Sequence, residues 1–359
     1  MALSLLEVRN VRNLASVSIS PSPHFNLLFG ANGSGKTSIL EAIHILGLGR
    51  SFRTTQARKL VRDNSETATV FGRINLGERV IGVGVQKKNA EPTLIKVDGC
   101  VVDSASNLAE LLPLQLLTPE SHELLQGEPK ERRAFMDWGL FHVEHGYLDL
   151  WRRYRRVLQQ RNAGLRSRLR TADLAQWDKV LAEAGEQIAL LRARYLAKLA
   201  EDMLPLYERL VGGPVPALSY RRGWSKENPL LDVLVRNRES ELSVGHTLAG
   251  PHRGDVRLLV QGQDGVDVLS RGQLKLAVCA MRLGQANHLR RSTGQVCTIL
   301  VDDLPAELDS DRRQRLLAVL AQMDAQCFVT ATERELVVDA AWSDRKVFHV
   351  EHGAVVEVV

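Results

Sequence analysis

Gly30-Ala31-Asn32-Gly33-Ser34-Gly35-Lys36-Thr37 is the stretch on which the folding of this chain turns. Its spacing, G-x-x-x-x-G-K-T, is that of a phosphate-binding loop, and the flanking sequence supplies the elements such a loop needs. Phe25-Asn26-Leu27-Leu28-Phe29 reads as a short buried strand ahead of it. Behind it, Ser38 to Leu48 carries Ile39, Leu40, Ile43 and Leu46 at helical spacing and stops at Gly47 and Gly49. Glycines let backbone N–H groups curl around a β-phosphate, and the new helix turns its positive end toward that anion. Lys36 reaches the β and γ oxygens, and the Thr37 hydroxyl is a Mg²⁺ ligand. Gly30 through Thr37 are therefore expected to hold ATP with Mg²⁺.

The bulk properties agree with a globular nucleotide-binding protein. The chain has 359 residues, enough for one large domain or two modest ones, with 44% apolar and 25% charged residues. No apolar run approaches the roughly 20 residues that span a bilayer. The N-terminus also lacks a basic-then-apolar signal pattern, so a cytoplasmic protein without a membrane partner is expected. Cys100, Cys279, Cys297 and Cys327 lack metal-ligand spacing, and three of them sit in apolar runs, as buried structural thiols do. A net charge of +5 and a pI near 9.1 permit a polyanionic partner without requiring one.

Around the loop the pattern changes twice. Strands at Leu3 to Val8 and Val17 to Ile19 precede it. Ala68 to Ile74, Arg79 to Val85 and Thr93 to Val97 then alternate with period two, as an antiparallel meander does. From about Pro119 to Gly212 glycine thins out, and Tyr147 to Leu169 and Leu174 to Leu210 read as long helices of an inserted lobe. A strand at Ala217 to Arg221 and a helix near Asn228 to Ser240 lead back to strand–helix alternation: Val256 to Val260, a helix after Ser270, Cys297 to Val301, a helix from Asp311, and Cys327 to Thr330. The divisions fall at residues 1–118 (N-terminal ATPase part), 119–245 (helical lobe) and 246–359 (C-terminal ATPase part).

Three further motifs narrow the class. Val296 to Val301 is a continuous β-branched and apolar run ending in Asp302-Asp303, the pattern of a buried parallel strand with carboxylates at its ligand-binding edge. There Asp302 can support Mg²⁺ and Asp303 can take a proton from an attacking water. Some thirty residues upstream, Leu269-Ser270-Arg271-Gly272-Gln273 opens an apolar helix, with Ser270 a natural N-cap. It looks like the signature motif of the ATP-binding-cassette superfamily, with Arg271 in place of the usual second glycine. Ala306-Glu307-Leu308-Asp309 fits that superfamily's D-loop, with Glu307 and Asp309 as its acidic residues.

Longer strings resemble the RecF family of bacterial recombination mediators along nearly the whole chain. They include Gly33 to Ile43, Gly49-Arg50-Ser51-Phe52-Arg53-Thr54, Gly127-Glu128-Pro129-Lys130-Glu131-Arg132-Arg133-Ala134-Phe135-Met136-Asp137, and Ala249-Gly250-Pro251-His252-Arg253. The resemblance implies an α/β fold: an ABC-type P-loop ATPase head of the SMC kind, with an antiparallel β subdomain and an inserted helical lobe but no long coiled coil. It implies ATP-dependent homodimerisation, in which Ser270, Arg271, Gly272 and Gln273 of one copy meet the γ-phosphate on the other's P-loop. It further implies binding of DNA, whether single-stranded, duplex or a gap junction, and slow hydrolysis that serves as a switch. The implied partners are RecO and RecR, which place RecA on single-stranded gaps in daughter-strand repair and the SOS response.

Departures from the cassette pattern bear on the chemistry. The catalytic position is Asp303, one methylene shorter than the usual glutamate, and Ala331-Thr332 stand where a histidine switch is expected. Both suit a slow timer. Gln115 and the Thr118-Pro119-Glu120 turn are alternative candidates for the Gln-loop. Arg152, Arg153, Arg155 and Arg156, interleaved with Trp151 and Tyr154 and followed by Arg161, Arg166, Arg168 and Arg170, are candidate contacts to DNA phosphates. A solvated helix face is the plain alternative. A transporter ATPase subunit would be shorter and keep the histidine; an SMC-type head working with a nuclease would carry heptad arms. A non-cassette P-loop kinase would leave the Ser270 helix unexplained.

Overall fold

The computed structural model describes residues 1–303, 308–337 and 342–358. In chain order, β1 (Ala2–Val11) and β2 (Leu14–Ile19) form a hairpin ahead of β3 (Phe25–Phe29) and α1 (Lys36–Leu48). The meander follows as β4 (Thr67–Leu76), β5 (Arg79–Lys88), β6 (Leu94–Val97) and β7 (Cys100–Val101), then α2 (Ser106–Leu111) and β8 (Leu114–Leu117). A helical run comes next: α3 (Glu123–Gln126), α4 (Pro129–Val143), α5 (Tyr147–Arg166) and α6 (Thr171–Leu210). β9 (Pro216–Arg221), α7 (Leu230–Arg236), α8 (Arg238–Val244), β10 (Asp255–Val260), β11 (Gln263–Asp264), α9 (Gly265–Val268) and α10 (Arg271–Thr293) continue the chain. It closes with β12 (Thr298–Val301), α11 (Ser310–Gln322), β13 (Gln326–Ala331), β14 (Arg345–Glu351) and β15 (Ala354–Val358). Where one helix was expected near residues 228–240 there are two, because the chain turns at Asn237, which caps both.

Two compact units divide these elements: Met1–Ser121 with Arg209–Val211 and Lys275–Val359, and His122–Glu208 with Gly212–Leu274. The first unit holds two sheets. One runs β15-β14-β3-β13-β12-β8, parallel except for the antiparallel edge strand β15. The other, β2-β1-β4-β5-β6-β7, is antiparallel throughout. α1 lies in their common core, where Ile39, Ile43 and Leu46 share one cluster with Leu6, Val70, Val83, Leu300 and Phe328. A helix enclosed on all sides needs no polar face, which is why nearly every residue of α1 is buried. The close approach depends on Gly72 of β4: a Cβ there would come within 2.4 Å of Leu46 Cδ2. Gln326 then joins the sheets, since its amide accepts from the Leu3 N–H and donates to the Leu3 carbonyl, both at 2.8 Å.

The second unit contains the α3–α9 helices, the small sheet β11-β10-β9 and the first residues of α10. Charged side chains knit its interior. Arg161 is fully buried between Asp178 (2.6 Å) and Glu241 (2.7 Å), and Arg238 reaches Asp178 at 2.6 Å. Arg192, equally buried, pairs with Asp137 at 2.7 Å and donates to the Pro251 carbonyl at 2.7 Å. None of the described helices is long and apolar enough to cross a membrane. No cluster of metal-ligating side chains is found among the described residues.

Candidate functional site: a nucleotide cleft

The loop from Gly30 to Lys36 leaves the C-terminal end of β3, a strand flanked on both sides by parallel neighbours. Gly30 has φ of +150°, and a Cβ on it would come within 2.1 Å of the Val350 carbonyl oxygen, so no other residue fits. Gly33 and Gly35 also take positive φ, which turns the loop back on itself. The fold clamps this shape from three directions. The Gly30 N–H donates to the Ala331 carbonyl (3.3 Å), the Gly353 N–H donates to the Ser34 carbonyl (2.8 Å), and Asn13 Nδ2 donates to the Gly33 carbonyl (3.2 Å). α1 begins at Lys36, two residues earlier than its apolar pattern suggests, so both Lys36 and Thr37 belong to its first turn.

Lys36 Nζ donates to the carbonyls of Gly30 (2.7 Å) and Ala31 (3.0 Å), which holds the ammonium inside the loop's curve. Burial lowers the Lys36 pKa, and Asp303 and then Asp302 work against that shift. At the end of β12, Asp302 Oδ1 accepts from Thr37 Oγ1 at 2.9 Å and from Thr330 Oγ1 at 3.0 Å. Burial raises the Asp302 pKa; these two hydroxyls oppose it. The Asp303 N–H donates to Thr330 Oγ1 at 2.7 Å, and the Asp303 backbone sits at φ of +47°, a left-handed conformation that is costly outside glycine. β13 lies between β3 and β12, so Thr330 is placed to bridge the loop's strand and the carboxylate strand.

Around these groups lies a cleft of about 340 Å³ lined by Arg12, Asn13, Asn32, Gly33, Gly35, Lys36, Thr37, Ser38, Arg53 and Asp303. The donor set suits a triphosphate and a hard divalent cation: backbone N–H groups, an ammonium and guanidinium groups for phosphate, a hydroxyl and carboxylates for Mg²⁺. Thr37 and Asp302 would hold the ion.

Arg12, Asn13 and Ser38 were not apparent from sequence. Arg12 and Asn13 reach the cleft from the β1–β2 turn of the other sheet. Arg12 forms a bidentate pair with the fully buried Glu41 of α1 (2.9 and 2.8 Å), and Arg53 lies 3.6 Å from the same carboxylate. Ser38 Oγ donates to Asn13 Oδ1 at 2.9 Å. An Arg-Asn turn carries no phosphate signal of its own, so only sheet pairing brings it here.

Other expected residues have different surroundings. Gln115 is 2% exposed; its Nε2 donates to Gln285 Oε1 (3.1 Å) and its Oε1 accepts from Arg282 (3.4 Å). It is thus packed against α10 and is not among the residues that line the cleft. Arg161 is an interior ion-pair residue and leaves the set of candidate DNA contacts. Tyr154 is likewise turned inward, stacked on Trp151 and bonded to His252 Nδ1 at 2.6 Å, while Arg152, Arg153, Arg155 and Arg156 are exposed. Ser270 and Gln273 form a reciprocal capping box: the Gln273 N–H donates to Ser270 Oγ at 3.3 Å, and the Ser270 N–H donates to Gln273 Oε1 at 3.0 Å. Asp309 caps α11 by accepting from the Arg312 N–H at 2.9 Å. Glu307 lies outside the described residues.

Comparison with known proteins agrees with this architecture. The RecF/RecN/SMC N terminal domain model matches residues 2–355. The DNA replication and repair protein RecF of Stutzerimonas stutzeri is 43% identical over 363 residues, covering 100% of this chain and 98% of that protein. RecF of Escherichia coli O7:K1 is 42% identical, with 99% of this chain and 100% of that protein covered. The chain belongs to the RecF family. A solved RecF–ATP structure from the RecFOR pathway, described as that of a recombination mediator, superimposes with a TM-score of 0.88 at 26% identity, covering 100% of this chain and 98% of that one. An Smc head bound to the C-winged helix domain of ScpA shares the fold at a TM-score of 0.63 and 15% identity. RecF membership places the chain among DNA replication and repair proteins with an SMC-like ATPase fold, and not among transporter subunits.

Proposed function

We propose that this RecF-family chain is an ATP-gated DNA clamp that pairs with a second copy of itself. Gly30 to Thr37 bind the triphosphate, Lys36 sits against its β and γ oxygens, and Thr37 with Asp302 hold Mg²⁺. The bound ion supplies charge neutralisation at the phosphates. Asp303 orients and deprotonates the attacking water; its short side chain and the Ala331-Thr332 pair in place of a histidine make that step slow. Ser270, Arg271, Gly272 and Gln273 of one copy close on the γ-phosphate held by the other. Nucleotide then favours the closed dimer by its differential affinity for that state.

On DNA, Arg152, Arg153, Arg155 and Arg156 contact phosphates without sequence preference. By likeness to the recombination mediator of the RecFOR pathway, the clamp works in the cytoplasm at gaps and junctions. There it acts with RecO and RecR to place RecA, and so supports gap repair and the SOS response. The observation that carries the reading is that Lys36, Thr37 and Asp303 line one cleft with Asp302 bonded to Thr37, on a chain whose signature helix start is pre-formed by the Ser270–Gln273 box.

The test is light scattering of the purified chain with and without ATP and Mg²⁺. Doubling of mass with ATP is expected for the parent chain, and its loss for Lys36→Ala and Ser270→Arg. Ser270→Arg should retain nucleotide affinity within about twofold, whereas Lys36→Ala should lose it. A Lys36→Ala chain that still dimerises on ATP would refute the proposal.

A further inference from the structure

The strings around Arg132-Arg133 and Gly250-Pro251-His252-Arg253 take no part in the nucleotide cleft, yet the second unit brings them together. With the segment after β9 they line a half-open basin of about 930 Å³. Its carboxylates are Glu128 and Asp255, and Asp255 is occupied by the buried Arg132 at 2.7 and 3.1 Å. Arg132 also donates to the Leu125 (3.1 Å) and Gly127 (2.7 Å) carbonyls, so it builds the wall. Its neighbour Arg133 lines the open space. Among the described residues, no carboxylate lies within 4 Å of Arg133, Lys130, Arg221, Lys226 or Arg253, although all five line the same hollow.

Crowding these cations together costs energy unless an anion joins them. Arg133 shows the strain: burial, with repulsion from Arg192 and Arg253, lowers its pKa despite the pull of Asp255 and Asp137. The wall also carries an aromatic platform, with the Arg222 guanidinium 4.5 Å from the centre of the Trp224 ring. The indole N–H of Trp224 and Nε of Arg222 are shielded from water and meet no acceptor among the described residues.

Size selects among polyanions. A cube of 930 Å³ is roughly 10 Å on edge, so the hollow can take in a few nucleotides of an unpaired strand but cannot enclose a paired duplex. A single strand fits: phosphates meet the arginines and lysines while a base stacks on the Arg222–Trp224 pair, the combination that sequence-tolerant single-strand sites use. We infer that this basin is a second nucleic-acid site, which takes two or three nucleotides of single-stranded DNA independently of the nucleotide cleft. It goes beyond the clamp proposed above, whose contacts are to the backbone of DNA lying on α5.

The experiment is fluorescence anisotropy of the full chain without ATP, using a labelled six-residue oligothymidylate and a blunt hairpin duplex across a salt series. The double variant Lys130→Glu/Arg253→Glu, both exposed positions, should bind the oligothymidylate at least tenfold more weakly. Its salt slope should be shallower by about 1.4, at roughly 0.7 for each single-strand phosphate that is no longer neutralised. Hairpin binding should change less than twofold. The milder Lys130→Gln/Arg253→Gln should move in the same direction, and Trp224→Phe should abolish oligonucleotide quenching of tryptophan emission. Unchanged oligothymidylate affinity in both variants overturns the inference, as does equal loss of hairpin binding. Competition by polyglutamate as effective as by unlabelled oligothymidylate also overturns it, since the basin would then serve an acidic protein. Because no ATP is present, failure here leaves the dimer proposal standing, and the converse holds.

Discussion

Burial pulls the proton equilibria of the interior groups toward their neutral forms, and the histidines register it most clearly. His44, His142 and His252 are all driven down to about 4, in each case chiefly by loss of solvent. His44 Nδ1 is held 2.8 Å from the Arg50 carbonyl, and His252 lies between Tyr154 and the Thr247 carbonyl. The folded chain therefore binds fewer protons than the unfolded chain between about pH 6.5 and pH 4. Stability from these groups is complete above pH 6.5 and is lost as the pH falls toward 4, at about 1.4 kcal/mol per unit for each. Urea midpoints should be flat from pH 7.5 to 6.5 and drop steadily by pH 4.5, with a gentler decline in His44→Gln or His252→Gln. A midpoint that does not move over this range would count against burial as the cause.

At the scale of one element, α5 shows that a run of arginines has two fates. Tyr147, Tyr154, Val157, Arg161 and Leu165 are its buried stripe, spaced by seven, three, four and four residues. Arg161 follows Val157 by one turn and so shares the inward face; that phase, and not the arginine count, was the legible sign of its role. Removing one partner of a buried ion pair typically costs about 3–5 kcal/mol. Arg161→Ala should fall in that range by urea denaturation, because it takes the guanidinium from the buried Glu241 and leaves Asp178 with Arg238 alone; a loss under about 1 kcal/mol would mean water replaces the guanidinium. Reversing Arg152, Arg153, Arg155 and Arg156 to Glu should leave stability nearly unchanged. It should weaken duplex DNA binding evenly across sequences and flatten the salt dependence. Anisotropy that matches the parent chain would take α5 out of the DNA interface.

For the whole molecule, the P-loop and the Ser270 helix start belong to different compact units of one chain. If each composite site draws on both copies, damage to the two halves must complement. Lys36→Ala and Ser270→Arg chains, each monomeric with ATP, should pair when mixed, since the heterodimer retains one intact site. Native mass spectrometry of the mixture should then find a heterodimer and no homodimer; monomers alone would argue against sharing. The P-loop with its strand and helix, the paired aspartates, the meander and the family could all be read from the order of residues. Those features depend on near neighbours, through turn chemistry and local periodicity. Folding in three dimensions was needed to bring Arg12, Asn13 and Thr330 to the cleft, to turn Gln115 away from it, and to set two distant arginine strings around one basin. Such choices are made by strand pairing and by which side chain a neighbouring element shields from water, and no window of adjacent residues contains that information.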